Sequence, residues 1–260
     1  MVEKVEKTID VQKRLFDKLK LVDRKKVEFT SMVSHELKTP IVPILGYVQM
    51  LQKEDLFGEL NERQREAVDE IYSSTVKLQR LVGDILTTQK LDLGKLDFDE
   101  GDINISELLH EVIKEFTPVA NEKKIKLVMN FNENMYIFSD KDRISQVFSN
   151  LIKNAIDFVS PKIGNVIIGA KDDDEYIEFF VKDNGPGISI ENQKEIFKKF
   201  YQIDTSSSRK RSGSGLGLTI CKGIIEGLGG KIRVKSKENI KTTFYFKIPK
   251  NPIKLSIKNT

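Results

Sequence analysis

Tryptophan is absent from this chain, cysteine occurs once and histidine twice among 260 residues. The lone thiol, Cys221, excludes an internal disulfide and fits a reducing compartment. Its neighbours Leu218, Ile224 and Ile225 suit a buried core thiol rather than a reactive one. Long apolar runs are missing too: none approaches the roughly 20 residues that span a bilayer. The opening Met1-Val-Glu-Lys-Val-Glu-Lys lacks the pattern of a signal peptide. Nor does one sign of charge dominate. The 43 Lys and Arg are interspersed with 39 Asp and Glu, a net charge of +4. Neither a nucleic-acid partner nor membrane contact by this segment is expected from so even a balance. A cytoplasmic location follows as the expectation.

What is present fits a globular protein, with 39% hydrophobic and 32% charged residues. The length allows two modest domains, each with its own core. From Val2 to Lys26 the pattern is helical. Val2, Val5, Ile9, Phe16 and Leu19 are spaced by threes and fours or their sums, with Gln12 in one seam position. Beyond Leu19 the stripe shifts to Val22 and Phe29. A short parallel coiled coil and a helix docked on its own domain both satisfy this pattern.

One of the two histidines lies in Ser34-His35-Glu36-Leu37-Lys38-Thr39-Pro40. On a helix His35 shares a face with Ser31, Met32, Lys38 and Thr39, three of them polar, so the imidazole is expected in solvent. A neutral imidazole is a nucleophile near neutral pH, and the adjacent carboxylate of Glu36 can fix its tautomer and accept the displaced proton. Pro40 lacks a backbone donor and is expected to kink the helix. The helix continues through Ile41, Ile44, Val48 and Leu51 and breaks around Asp55 to Gly58. A second helix starts near Glu62, with Val68, Ile71, Thr75, Leu78, Val82 and Ile85 on one narrow stripe. Two such helices cannot bury their seam alone, which predicts a four-helix bundle from two copies, a homodimer.

After Asp99 strand patterns appear. A short strand flanked by Ile103 and Ile105 leads to a helix capped by Ser106 and running to about Asn121. Strands are expected over Ile125–Phe131, Val166–Ala170, Tyr176–Lys182, Lys231–Ser236 and Thr242–Ile248, with helices over Asp140–Val159 and Leu216–Leu228. Helices mixed with mostly antiparallel strands make the second half an α/β sandwich, and the whole chain α+β. No internal repeat is visible.

Four pieces in this half carry chemistry. Asn150 and Asn154 stack at i and i+4 on one helix, and amide oxygens are hard neutral ligands suited to Mg²⁺. Asp183-Asn184-Gly185-Pro186-Gly187 ends a strand, where a carboxylate can accept a hydrogen bond from an exocyclic amine and glycines admit a flat base. Ile196 to Tyr201 places Phe197 and Phe200 around two lysines. Gly213-Ser214-Gly215-Leu216-Gly217-Leu218 opens a helix whose N-terminal amides can hold phosphate. Its glycines miss the dinucleotide-binding spacing, and no Walker lysine follows. Singly each piece has a plain structural explanation: a capped helix, a turn, a core aromatic pair, a loop. Four in this order behind His35-Glu-Leu-Lys-Thr-Pro are specific.

Over roughly residues 27–250 the chain resembles the core of a two-component sensor histidine kinase. His35 to Pro40 is similar to that family's H box and Asn150 to Ala155 to its N box. Asp183 to Gly187, Phe197 to Phe200 and Gly213 to Leu218 are similar to its first glycine box, F box and second glycine box. The resemblance implies a helical-hairpin dimerisation and phosphoacceptor domain, a four-helix bundle as the dimer, followed by a GHKL-type α/β sandwich that binds ATP. It divides the chain into an N-terminal signalling helix (1–26), a dimerisation and histidine phosphotransfer domain (27–98), an ATP-binding domain (99–251) and a tail (252–260). His35 becomes the phosphoacceptor, Glu36 its orienting or deprotonating carboxylate, and Thr39 the residue serving the reverse, phosphatase reaction. Asn154 is the Mg²⁺ ligand, Asn150 a further residue of the nucleotide site, and Asp183 the adenine ligand. Gly185, Gly187, Phe200 and the loop Gly213, Gly215, Leu216, Gly217 and Leu218 surround the nucleotide. A lid over about Ile203 to Ser214 brings Arg209, Lys210 and Arg211 toward the phosphates. The partners implied are a second copy and the receiver domain of a response regulator. The segment is then cytoplasmic in its own right or the cytoplasmic portion of a membrane-anchored sensor.

One position departs. Family members carry lysine or arginine three residues after the N-box Asn154, where this chain has Asp157. Asp157 either points away or recruits a lid arginine. Two other classes compete: a GHKL ATPase of the chaperone or mismatch-repair kind, and a coiled-coil scaffold that only binds nucleotide. The first places a water-activating glutamate where this chain has Asn150.

Overall fold

The computed structural model describes residues 2–132, 134–203 and 213–251. The chain divides into two compact units between Leu93 and Gly94.

The first unit is a helical hairpin. Helix α1 (Val2–Leu51) contains Pro40 and Pro43 and is not interrupted by them. Each proline lacks the N–H that would bond the carbonyl four residues back, so Glu36 and Thr39 lose their intrahelical donors. A short turn α2 (Glu54–Phe57) and Gly58, at φ +79°, reverse the chain. Helix α3 (Glu62–Asp92) then starts on a reciprocal cap. The Asn61 side chain accepts from the Gln64 N–H, and the Gln64 side chain accepts from the Asn61 N–H. Within the hairpin Asp84 and Thr88 are buried near the end of α3, and the seam itself buries Ile41 and Val48 on α1 with Val68, Thr75 and Val82 on α3. These recur every seven residues. The stripe expected on α3 is therefore only half used inside one chain. Ile71 remains 49% exposed and Leu78 45%. Among the expected N-terminal seam residues, Phe16 is exposed, while the side chains of Val2, Val5, Ile9 and Leu19 fall outside the described ones.

The second unit has its own core. Leu96 is buried there, and the ring of Phe98 lies against Gly227. A two-stranded antiparallel sheet pairs β1 (Gly101–Asn104) with β3 (Tyr136–Ser139). Between them run α4 (Ile105–Glu122) and β2 (Lys126–Asn130). Helix α5 (Lys141–Phe158) follows, then the hairpin β4 (Asn165–Asp173) and β5 (Tyr176–Asp183), a short α6 (Ile190–Glu195), α7 (Gly217–Gly227), and the hairpin β6 (Lys231–Lys237) and β7 (Lys241–Pro249). The main sheet has the order β2-β4-β5-β7-β6, antiparallel except for the β2–β4 pair. Inward residues Val166 and Ile168, Ile177, Phe179 and Val181, and Phe244, Phe246 and Ile248 alternate along the strands and face α5 and α7. At the centre the Phe148, Phe179 and Phe246 rings pack 4.9–5.6 Å apart, all fully buried.

One expectation changes and two elements are added. Helix α4 is capped by Asn104, whose side chain accepts from the amides of Ser106 and Glu107, so Ser106 lies inside the helix. β1 runs straight into α4, and the last strand residue serves as the cap. Strand β3 and helix α6 were not anticipated; four and six residues long, they carry too little periodicity to register.

Candidate active site

In the hairpin unit His35 lies on α1 with 81% of its side chain exposed, as its polar helix face predicts. The Glu36 carboxylate stands 3.9 Å from His35 Nδ1. That is ion-pair range rather than hydrogen-bond range. It favours the tautomer with its proton on Nδ1 and the lone pair on Nε2. The Thr39 hydroxyl donates to the His35 carbonyl at 3.0 Å, an intrahelical bond rather than one directed at the ring.

In the sheet unit the expected residues gather around the ends of α5 and the start of α7. Asp183 ends β5 and is 6% exposed. Its Oδ1 accepts from the Gly185 N–H at 2.8 Å, and the backbone N–H of Thr242 also donates to the carboxylate. Burial pushes its pKa up to about 6, and these two N–H donors hold it from rising further. Asn184 turns the other way. Its side chain accepts from the Asn165 N–H and donates to the Ile163 carbonyl, tying the end of β5 to the loop entering β4. At Gly187, φ is +74° and a Cβ would stand 2.2 Å from the Lys237 carbonyl oxygen, so only glycine fits. A Cβ on Gly185 would meet Asp183 Oδ1 at 2.8 Å and the Phe158 carbonyl oxygen, at the end of α5, at 3.4 Å.

The second glycine cluster closes against the F box. The N–H of Phe200, itself at φ +60°, donates to the Gly215 carbonyl at 3.0 Å. Gly215 sits at φ +70°, with space for a Cβ only 2.8 Å from the Phe200 backbone. The Phe200 ring remains 69% exposed. The Thr219 hydroxyl bonds the Phe197 carbonyl, and Gln202 donates to the Gly213 carbonyl. Leu216, fully buried, precedes α7 without offering a side-chain cap, which leaves the amides of Gly217 and Leu218 for an anion. Gly217 faces Asn150: a Cβ there would lie 3.5 Å from its Oδ1. Asn150 is buried on α5 and Asn154, one turn on, is half-buried. The structure thus brings together Asn150, Gly217, Gly215 and Phe200 at one end, and Asp183, Gly185 and Gly187 at the other. Arg209, Lys210 and Arg211 lie outside the described residues.

The lid arginines of one expected role of Asp157 lie outside the described residues. The Asp157 carboxylate forms a 3.0 Å ion pair with Lys123, just after α4. Thr242 and Phe158 were missed as site residues because both act through backbone atoms. Only the β5–β7 register, which places Thr242 opposite Asp183, discloses the first.

A buried carboxylate at a strand end, a glycine turn held open beneath it, and an uncapped helix start facing a paired-asparagine helix define a GHKL-type nucleotide-binding domain. Here it follows a hairpin that presents a histidine. Residues 139–252 match the family described as Histidine kinase-, DNA gyrase B-, and HSP90-like ATPase, and residues 25–94 match the His Kinase A (phospho-acceptor) domain. The chain belongs to the sensor histidine kinases. It is 37% identical over 237 residues to the hybrid signal transduction protein dokA of Dictyostelium discoideum, covering 86% of this chain and 14% of that one. It is 34% identical over 230 residues to the sensor protein SrrB of Staphylococcus aureus, covering 88% and 39%. It therefore spans well under half the length of these relatives. Among solved structures, full-length ShkA in complex with AMPPNP superposes with a TM-score of 0.71 at 28% identity, over 85% of this chain and 45% of that one. The histidine kinase ThkA in complex with the response regulator protein TrrA gives 0.60 at 28%, over 89% and 65%.

Proposed function

We propose that this chain transfers the γ-phosphoryl group of ATP to His35, and that a response-regulator receiver domain then collects it on an aspartate. The observation that carries this is the solvent-presented imidazole with Glu36 on its Nδ1 side. Nε2 attacks the γ-phosphorus, the bond to the bridging oxygen breaks, ADP leaves, and Glu36 stabilises or accepts the Nδ1 proton. In the sheet unit Asp183 accepts a hydrogen bond from the adenine amine, Gly185 and Gly187 let backbone lie along the base, and the α7 amides meet the phosphates. Asn154, with Asn150, fits Mg²⁺ as an amide donor to a metal already carrying phosphate oxygens. Mg²⁺ when bound would neutralise charge on the transferring group. The AMPPNP bound to ShkA and the TrrA bound to ThkA support the choice of nucleotide and partner.

The unit works as a homodimer, its seam completed by Ile71 and Leu78, which border a groove with Ala67, Glu70, Ser74 and Thr75. No helix among the described residues is long and apolar enough to cross a membrane, and the kinase core acts in the cytoplasm. Thr39 serves a phosphatase reaction in which its hydroxyl leaves the His35 carbonyl to position a water.

Incubation with γ-labelled ATP tests the proposal. Acid-labile label on the wild type and none on His35→Gln, with nucleotide still bound, is expected. Free phosphate with no protein label would instead favour the GHKL ATPase class, against which Asn150 in place of a water-activating glutamate already speaks. In the reverse assay Thr39→Ala should slow regulator dephosphorylation far more than autophosphorylation. Equal loss of both would make Thr39 structural.

A further inference from the structure

The main sheet buries one face beneath α5 and α7, and the other bears its charged side chains around the buried Phe180 and Thr243. On edge strand β6 the outward residues are Lys231, Arg233, Lys235 and Lys237, all exposed. Strand register carries that face across the sheet. Lys231 stands opposite Lys247, Lys247 opposite Glu178, and Glu178 opposite Lys171. A second row runs from Lys235 through Thr243 to Lys182. Lys241 faces Lys237, and Lys126 joins from β2. Against these nine cations the face carries two carboxylates, Glu178 and Asp173. Both are engaged, Glu178 by Arg233 at 2.6 Å and Asp173 by Lys247. The whole chain has only 43 cations to 39 carboxylates, so the rest of it carries more carboxylates than cations. The excess positive charge of the protein is concentrated on this one face.

Guarding a sheet edge explains lysines on β6 but not Lys171, Lys182 or Lys247 on inner strands. The half-buried aromatic among the cations, Tyr245, has the Arg233 guanidinium 4.7 Å and the Lys235 ammonium 5.9 Å from its ring centre. It is held by cations rather than open for a base to stack on. The cations are nearly all lysine, point charges on flexible stems, laid over five adjacent strands rather than along a groove. Such an array meets another flat charged surface without needing one fixed geometry.

We propose that this face docks the catalytic unit onto the surface of an anionic phospholipid bilayer. The even charge balance of the sequence argued against membrane contact; the fold separates the charges that the sequence interleaves. Docking is peripheral and electrostatic, it is independent of the phosphotransfer reading, and it weakens with salt.

The test is co-sedimentation of the full chain, without nucleotide, with vesicles of phosphatidylcholine alone or mixed with phosphatidylglycerol. Binding to the mixed vesicles only, released by salt, is expected. Reversing Lys231, Lys235 and Lys237 together to Glu should weaken it by roughly a hundredfold. Changing the same three to Gln should weaken it less, while reversing Lys90, Lys95 and Lys114, equal in charge but off this face, should leave binding within about threefold. No binding to anionic vesicles, equal loss in both reversed triples, or tighter binding to a DNA or RNA oligonucleotide than to the vesicles would overturn the proposal.

Discussion

In the sheet unit Phe148, Phe179 and Phe246 have no exposed surface, whereas in the hairpin Leu37, Val42, Ile71 and Leu78 keep between 43% and 60% of theirs. The sheet unit buries its central apolar layer within one chain, since helices cover one face and strand alternation directs lysines to the other. The hairpin has only two long helices, and a two-helix contact reaches one stripe of each. Its remaining apolar positions are the ones a second copy covers in the homodimer proposed above. Stability in the first case is a property of a sequence, in the second of a concentration.

This contrast can be broken most forcefully at the hairpin. Replacing Ile71 and Leu78 together with Lys places two charges in the seam, a cost of several kcal/mol, and sedimentation should show monomer or unfolded hairpin. The sheet unit should still bind nucleotide. A surviving dimer would put the seam elsewhere. Second in size is Phe148→Ala, which opens a cavity among three rings and should cost about 3–5 kcal/mol. Calorimetry should show the sheet-unit transition lowered and dimerisation kept; a joint loss would mean the two units fold as one.

Asp183 sharpens the comparison within the sheet unit. Its pKa is raised from the ordinary 3.8 to about 6. The folded state therefore holds this proton more tightly than the unfolded one. Its contribution to stability is greatest below pH 4 and is lost as pH rises toward 6. Above that it amounts to a penalty of up to about 3 kcal/mol. Asp183→Asn removes the charge and keeps an acceptor for the Gly185 and Thr242 amides. Its unfolding free energy should exceed the wild type's by an amount growing from pH 4 to 6 and then level, while nucleotide affinity falls about ten- to hundredfold. A variant no more stable at pH 7 than at pH 4, relative to wild type, would contradict this. The smallest effect belongs to Asp157. Its pair with Lys123 is more than a third exposed on both sides. Asp157→Asn should change stability by less than about 1 kcal/mol and nucleotide affinity by less than twofold, as titration calorimetry can check. A larger drop in affinity would assign Asp157 to the phosphate site.

The long periodic elements were legible before the fold was known. Helices α3 and α5 begin within a residue of expectation, and the five strands of the main sheet were all anticipated. Local patterns are set by local residues, so they survive in one dimension. What escaped depends on register or backbone. The Thr242 amide reaches Asp183 across a strand pair, Lys123 meets Asp157 from 34 residues away, and the positive φ of Phe200 leaves no mark in composition. The cationic sheet face escaped for the same reason: its lysines come from five strands and are separated by the apolar residues that form the core.

Cys221 is fully buried on α7, with its Sγ 3.8 Å from the Val147 carbonyl of α5. As the sole sulfhydryl in the chain it is a ready-made clock. A thiol reagent added to the native protein can react only while α7 is lifted from α5, and nothing in the hairpin can contribute to the signal. The labelling rate, compared with that of the denatured chain, gives the fraction of time the helix that starts at Gly217 stands open. Measured with and without nucleotide, the same rate tells how firmly a bound ligand holds that helix shut.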